Sequence, residues 1–322
     1  MEINTIHNSD WMNNGLPDQS VDLIIADPPY FEVKGDFDFI WDSFDDYLKD
    51  VEKWAIECKR VLKDNGTLFW YGDDKRIAYA QIIFDKHFSL INSLIWYKYN
   101  LRGGMFGSTG GDSVRSFPIC TERILMYSNE VNQTGLERIK LDVNNFQTLR
   151  NHFKEMHEWV DVSKRELIQK VGQRVDHCFR YNSTQWDLPT LETFNELIQQ
   201  FRINEWDSFR EYEDLRREYE DLRRPFNNFL NLNEVLQFNT NTNKTYQHDT
   251  IKPEKLTRAL MLTCSKPDAL VLVPFAGSGT ECAMAQKENR NFIGFEIDER
   301  YHEVAMNRLK HQQEKSKQQS LF

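Results

Sequence analysis

The chain is predicted to fold as a doubly wound α/β sheet interrupted by a mainly helical insert. Three observations predict this. Short apolar runs alternate with helical periodicities from the N-terminus to about Tyr127. The same alternation returns from about His248 to Leu309. Between them the strand-like runs vanish and polar helical patterns take over, over residues 129–247.

In the first half, Val21-Asp22-Leu23-Ile24-Ile25-Ala26 reads as a buried strand stopped by the prolines of Asp27-Pro28-Pro29-Tyr30. From Ser43 to Leu62 the apolar residues Phe44, Tyr47, Leu48, Val51, Trp54, Ala55, Cys58, Val61 and Leu62 recur at helical spacing. Asn65-Gly66 turns the chain into Thr67–Tyr71, and Ser93–Tyr97 and Ile124–Tyr127 read as further strands. The glycine-dense stretch Leu101 to Asp112 reads as a mobile loop. In the second half, a helix is expected from Pro253 to Cys264 and a strand over Ala269–Val273. The turn Pro274-Phe275-Ala276-Gly277-Ser278-Gly279 follows, then a helix from Thr280, a strand to Glu296 and a last helix over Tyr301–Leu309. The halves are taken as 1–128 and 248–312, with a polar tail over 313–322.

Within the insert, Ser163 caps a helix with Glu166 at the fourth box position, Gly172 ends it, and Arg174 to Phe179 forms a second short helix. A third covers Leu191 to Phe201. The whole, over residues 160–201, resembles a repressor-type helix-turn-helix, and Arg174, His177 and Arg180 are its candidate DNA-reading side chains. Further on, Arg210–Arg216 recurs as Arg217–Arg223. Apolar residues from Phe209 to Phe229 step by three and four, so one long amphipathic helix is expected over about 205–230.

No apolar run approaches the roughly 18 residues of a membrane helix, and the first residues lack a signal peptide's basic and apolar segments. Five dispersed cysteines without a CxxC pair speak against a zinc cluster or a disulfide framework and suit the cytoplasm. The formal net charge of −10, taken alone, argues against nucleic acid as partner, although a local basic cleft can coexist with an acidic exterior.

Two motifs carry chemistry. Asp27-Pro28-Pro29-Tyr30 places a carboxylate, an exposed carbonyl and an aromatic ring at a strand end. Two fixed acceptors can hold one amino group in line with an electrophile and favour the charge that develops on it, while the ring offers a stacking surface. In the second motif, glycines directly after an apolar strand let the backbone approach a ligand. No Gly-Lys-Ser/Thr follows, and the dinucleotide fingerprint lacks its third glycine, since Cys282 stands there. Glu296, about 20 residues on, can accept from a ribose diol. A ligand with an adenosine ribose and no phosphate fits, and S-adenosylmethionine is one.

Together the motifs resemble the DNA amino-methyltransferases of the beta arrangement, in which the catalytic motif precedes the cofactor motif. The likeness extends to Arg60–Leu68, Trp96–Asn100 and His248–Pro253. It implies a seven-stranded methyltransferase sheet, with the insert as target-recognition region. It implies that Asp27, Pro28, Pro29 and Tyr30 hold the target base, and that Asp27 also borders the cofactor. Phe275, Gly277, Ser278, Gly279 and Thr280 would line S-adenosylmethionine, Glu296 would take its ribose, and Thr250 and Lys252 its methionine end. Lys98 and Arg102 are added as DNA contacts. The expected reaction is direct transfer to N6 of an adenine flipped from double-stranded DNA, with no metal. Cytosine N4 methylation is the nearest alternative, and a non-catalytic DNA-binding protein is an alternative of another class. A companion restriction endonuclease and a homodimer are further expectations. The sequence departs from the family at Val273, where an acid is usual, and at Asp249 and Ile251, which replace a proline and a glutamine.

Overall fold

The structure is a computed structural model that describes residues 1–33, 36–100, 117, 119–129, 146–183, 185–240 and 251–319. The stretch Leu101 to Asp112, Arg102 and Thr250 therefore lie outside the described residues. The chain forms two compact units. One comprises Met1–Asn132 with Pro225–Phe322, the other Gln133–Arg224.

The first unit is built on strands β1 (Thr5–His7), β2 (Val21–Ala26), β3 (Leu62–Gly72), β4 (Ser89–Tyr97), β5 (Thr121–Ser128), β6 (Val235–Gln237), β7 (Leu270–Val273) and β8 (Asn291–Phe295). They form one sheet in the order β1-β8-β7-β2-β3-β5-β4-β6. Pairing is parallel from β1 to β3, antiparallel at β3–β5 and β5–β4, and parallel again at β4–β6. The doubly wound sheet expected from the sequence is present, and among the described residues it has eight strands rather than seven. The extra one is β6, three residues within the stretch read as insert, too short to show a period.

Both faces of the sheet are covered. Leu23, Ile25, Phe69, Tyr71, Val271 and Val273 pack toward helices α7 (Glu254–Cys264), α8 (Thr280–Lys287) and α9 (Glu299–Gln319) through Leu256, Cys282 and Ala305. Ile24, Ala26, Leu68, Trp70 and Leu272 pack toward α1 (Phe44–Val61) and α2 (Ile77–Phe84). The alternation follows from the two-residue period of a strand, and burial on both faces explains why β2 reads as a continuous apolar run. Ser43 caps α1 by accepting from the Asp46 N–H at 3.2 Å; Asp45 and Asp46 lie in its first turn and Lys59 and Arg60 in its last. The last helix runs beyond the expected Leu309, through the polar tail to Gln319.

The order of winding places the ligand site. From β2 the chain moves outward through α1 to β3, and from β7 through α8 to β8 on the other side. Ligands of such sheets bind at the carboxyl ends of the strands where the winding reverses. Here that point lies between β2 and β7, paired as Leu23↔Val271 and Ile24↔Leu272. The Asp22 carboxylate secures the pairing, accepting from the Leu270 N–H at 2.8 Å and from Lys63 at 2.6 Å.

The second unit carries α3 (Gln147–Val160), α4 (Lys164–Val171), α5 (Leu191–Phe201) and α6 (Tyr212–Leu222) around a core that includes Phe146, Leu149, Phe153, Leu167, Trp186, Phe194, Leu197, Leu215 and Tyr219. Ser163 caps α4 through the Glu166 N–H, and Gly172, at φ 99°, ends it as the sequence predicts. The second short helix is present as a 3-10 helix, Gln173–Phe179, with Val175, Asp176, Cys178 and Phe179 buried. One expectation changes. The long helix expected over 205–230 shrinks to α6, 11 residues. Arg223 is already extended, and Pro225 disfavours a helical Arg224 by steric clash, so the three-and-four spacing of Phe226 and Phe229 continues past the point where a helix can.

Candidate active site

The carboxyl edge of the sheet gathers side chains that are distant in sequence. Asp27 follows the end of β2, Tyr71 lies near the end of β3, and Lys98 follows β4. Because β5 runs antiparallel, its second residue, Glu122, reaches the same edge, opposite Trp96 of β4. Lys252 arrives just before α7.

These groups form a charge chain. The Asp27 carboxylate accepts from the Tyr30 hydroxyl at 2.7 Å through Oδ1 and pairs with the Lys252 Nζ at 2.7 Å through Oδ2. Lys252 also lies 3.3 Å from Glu122, whose other oxygen holds Lys98. Asp38 accepts from the Tyr30 N–H at 2.5 Å and fixes the corner after the two prolines. The Lys252 ammonium sits over the rings of Tyr71 and Tyr30, 5.1 and 5.7 Å from their centroids.

Burial alone would pull the Lys252 ammonium down, but the carboxylates of Asp27 and Glu122 outweigh it and hold the group above its ordinary range. Burial likewise favours a neutral Glu122, and Lys252 and Lys98 overcome it, keeping its carboxyl below the usual range. Burial, reinforced by the charges of Asp27 and Glu122, pushes the Tyr30 phenol far up, so it stays a hydrogen-bond donor to Asp27. The Asp27 carboxylate is thus an acceptor held in a fixed orientation by Tyr30 and Lys252, as a group that must point at a weakly nucleophilic amino group requires.

The glycine turn follows β7, next to this corner. Gly277 and Gly279 have φ of 50° and 71°, the left-handed region that favours glycine. A Cβ on Gly279 would come within 2.9 Å of the Ala305 Cβ, so the residue also lets α9 close on the turn. Glu296, just past the end of β8, accepts from the Gly277 N–H at 2.8 Å through Oε2 and from the Asp298 N–H at 2.9 Å through Oε1. Each oxygen keeps a lone pair, and burial raises the carboxyl above its ordinary value. A vicinal diol could donate to both. Ser278 and Thr280 are buried, and the Thr280 hydroxyl accepts from the Arg308 guanidinium at 2.7 Å. The Phe275 ring packs edge-on to Trp54, 5.0 Å between centroids, with Trp11 and Trp70 beyond it. A glycine cradle, an oriented acid and no phosphate-binding lysine suit the nucleoside of S-adenosylmethionine.

The sequence-predicted residues divide accordingly. Asp27, Pro28, Pro29, Tyr30 and Lys252 come together at one corner, and Phe275, Gly277, Ser278, Gly279, Thr280 and Glu296 form the adjoining turn. Lys98, expected at the DNA, is instead buried with its ammonium on Glu122 and 4.7 Å from the Trp96 ring centroid. In the insert unit, Arg180 is held by two hydrogen bonds to the buried Asp176. Arg174 is exposed, 3.7 Å from Glu192, and His177 lies 3.2 Å from the Gln185 carbonyl. Arg174 and His177 line an open cleft of about 300 Å³ with Asp187 and Thr190. Sequence reasoning missed Glu122, Tyr71, Glu281 and Arg308. The one signal for Glu122 was an acid two residues before the apolar run Ile124–Tyr127.

Comparison with known proteins bears on this geometry. The type II methyltransferase M.HinfI of Haemophilus influenzae is 28% identical over 96% of this chain and 68% of its own length. The DNA adenine methyltransferase YhdJ of Escherichia coli strain K12 is 28% identical over 91% of this chain and 78% of its own. The solved PvuII DNA methyltransferase, described as cytosine-N4-specific, superposes with a TM-score of 0.52 at 14% identity, covering 94% of this chain and 87% of that one, a likeness of fold. Residues 21–307 match the DNA methylase family, and the chain belongs to it.

Proposed function

We propose that the chain methylates the N6 amino group of an adenine flipped out of double-stranded DNA. The observation that carries the reading is the Asp27 carboxylate, oriented by Tyr30 and Lys252, next to the glycine turn at the β2–β7 switch point. The likeness to YhdJ, named as a DNA adenine methyltransferase, supports adenine over cytosine.

S-adenosylmethionine is the methyl donor, and when bound it supplies an electrophilic methyl carbon on a sulfonium. Gly277, Gly279 and Glu296 would hold its nucleoside. The Asp27 carboxylate and the Pro28 carbonyl accept from the two N–H groups of the base and aim the nitrogen lone pair at that carbon. As the N–C bond forms, the methyl group's bond to sulfur would break and neutral S-adenosylhomocysteine would leave; the positive charge passes to the nitrogen, where the Asp27 carboxylate favours it. Lys252 and Tyr30, each 2.7 Å from Asp27, keep the carboxylate oriented. The methylated nitrogen then gives one proton to the Asp27 carboxylate, which passes it to solvent, and a neutral amine results.

Arg174 and His177 are proposed as DNA contacts of the insert, whereas Arg180 serves the insert's own fold through Asp176. A companion restriction endonuclease, a homodimer and a cytoplasmic location complete the proposal; they rest on the resemblance, M.HinfI being named a type II methyltransferase, and on the dispersed cysteines.

Digestion and mass spectrometry of DNA treated with the enzyme test the reading. N6-methyladenine is expected from the wild type and, with Asp27→Ala, a loss of at least about a hundredfold while S-adenosylmethionine still binds. N4-methylcytosine from the wild type would overturn the adenine assignment, and full activity of Asp27→Ala would overturn the role of Asp27.

A further inference from the structure

The second residue of α8 is a carboxylate in surroundings that disfavour charge. Glu281 is buried, and its carboxyl is met by a long hydrogen bond from the Thr257 hydroxyl at 3.3 Å and by its own backbone N–H. Burial, with the negative charge of Asp27, raises its carboxyl to about 6; Lys252 and Arg308 pull the other way without cancelling the effect. Both cations are committed elsewhere, Lys252 to Asp27 and Glu122 and Arg308 to Thr280 and Glu254. Among the described residues, no lysine or arginine forms an ion pair with Glu281. Val273, the last residue of β7, is apolar and adds no charge to this edge.

Buried carboxylates persist where a cation meets them. Glu281 lies immediately after the Gly277–Thr280 turn, in the first turn of α8, and its carboxyl reaches Thr257 of α7, the helix that Lys252 precedes. It therefore adjoins the cofactor turn, within range of the charges of Asp27 and Lys252. The amino acid end of the cofactor carries an α-ammonium, the kind of cation that the Glu281 carboxylate lacks among the described residues. We infer that Glu281 receives the α-ammonium of the cofactor's amino acid end. The inference rests on the cofactor lying at the Gly277–Gly279 turn.

Calorimetry on the full chain with three ligands tests it. S-adenosylmethionine and S-adenosylhomocysteine both carry the α-ammonium, whereas 5′-methylthioadenosine keeps the nucleoside and lacks the amino acid. Glu281→Gln should weaken the first two about ten- to a hundredfold and leave 5′-methylthioadenosine unchanged, which also shows that the variant is folded. Unchanged affinity for the first two, or an equal loss of all three, would overturn the inference. A loss confined to S-adenosylmethionine would place Glu281 on the sulfonium and overturn the assignment to the ammonium. The wild type should also lose affinity for S-adenosylhomocysteine as pH falls below about 6, because a neutral carboxyl no longer pairs with the ammonium. Glu281→Gln should show no such fall, since Asp27, Tyr71, Lys252 and Arg308, the charged and titratable groups that Glu281 faces, remain in it. A pH profile shared by both proteins would count against the inference. Failure of the cofactor placement itself would show separately, as Glu296→Ala binding 5′-methylthioadenosine like the wild type.

Discussion

The two units bury polar groups for different ends. In the sheet unit, Asp27, Glu122, Lys252 and Lys98 form one chain of opposite charges at a single edge, while Glu281 directly follows the glycine turn and Glu296 accepts from its Gly277 N–H. In the unit Gln133–Arg224, the buried polar groups serve their own surroundings. Asp176 holds Lys164 at 2.6 Å and Arg180 beside it. His152 packs 5.0 Å from Trp206, and burial, with Arg210 nearby, pushes its imidazole down to about 4, so it is neutral. Structural pairs close on themselves, whereas the sheet edge leaves acceptors with lone pairs to spare. That difference separates a site from a scaffold where perturbed titrations alone do not.

Asp27→Ala, with its near-abolition of transfer, is the heaviest blow to the sheet edge; the next is Glu296→Ala. Removing an acceptor that takes charge-assisted hydrogen bonds typically costs about 1.5–3 kcal/mol, roughly ten- to a hundredfold in affinity. Calorimetric titration with S-adenosylmethionine should show that loss, with the melting temperature of the free protein little changed. An unaltered affinity would remove Glu296 from the site and leave it as a brace for Gly277 and Asp298.

A smaller effect is expected in the insert unit, and on stability rather than on chemistry. Hydrogen bonds from Arg180 and Lys164 hold the Asp176 carboxyl below the usual carboxylate range. A depressed value means that the pair's contribution is fully present above the ordinary carboxylate pKa and fades as pH falls through the lower folded value. Asp176→Ala should lower the melting temperature by a few degrees (roughly 2–4 °C) at neutral pH, and the gap to wild type should close below about pH 4. A gap that stays constant down to strong acid would mean that packing, not the charge, sets the effect.

Much of the sheet unit was legible because its signals are local. A proline corner after an apolar run, glycines between strand and helix, and the Ser43 cap are each contained within a few residues. Glu122 and Lys98 were not legible in their present roles, because an antiparallel strand and its register bring them beside Lys252. Helix α2 had no periodic signature, being apolar nearly all round, with Ile82 and Tyr79 exposed. In the insert, the caps at Ser163 and Gly172 could be read, but the choice between an α-helix and a 3-10 helix after Gly172 could not. That choice depends on burying Val175, Cys178 and Phe179 together. Spacing also extended the last insert helix too far, although the proline that forbids it was in plain view.

The smallest expected effect concerns Arg174, and it asks whether the insert has a working face at all. Unlike Arg180, Arg174 is largely exposed and its partner Glu192 lies 3.7 Å away, equally exposed, a pairing worth little in water. It borders a cleft whose wall also includes His177 and Thr190. An exposed guanidinium beside a cleft can serve phosphate or base edge, and the two uses leave different traces. On phosphate, Arg174→Ala should weaken binding to all duplexes alike and reduce the slope of log affinity against log salt by about 1. On a base edge it should relax the choice of site by about 1–3 kcal/mol at one position. Arg180→Ala should do neither, and should instead act on stability as Asp176→Ala does. Salt-dependent binding of a specific and a random duplex to the two variants measures the contrast. If Arg174→Ala and wild type give superimposable salt slopes and the same methylated sites, the cleft is not a DNA contact, and other insert residues must carry recognition.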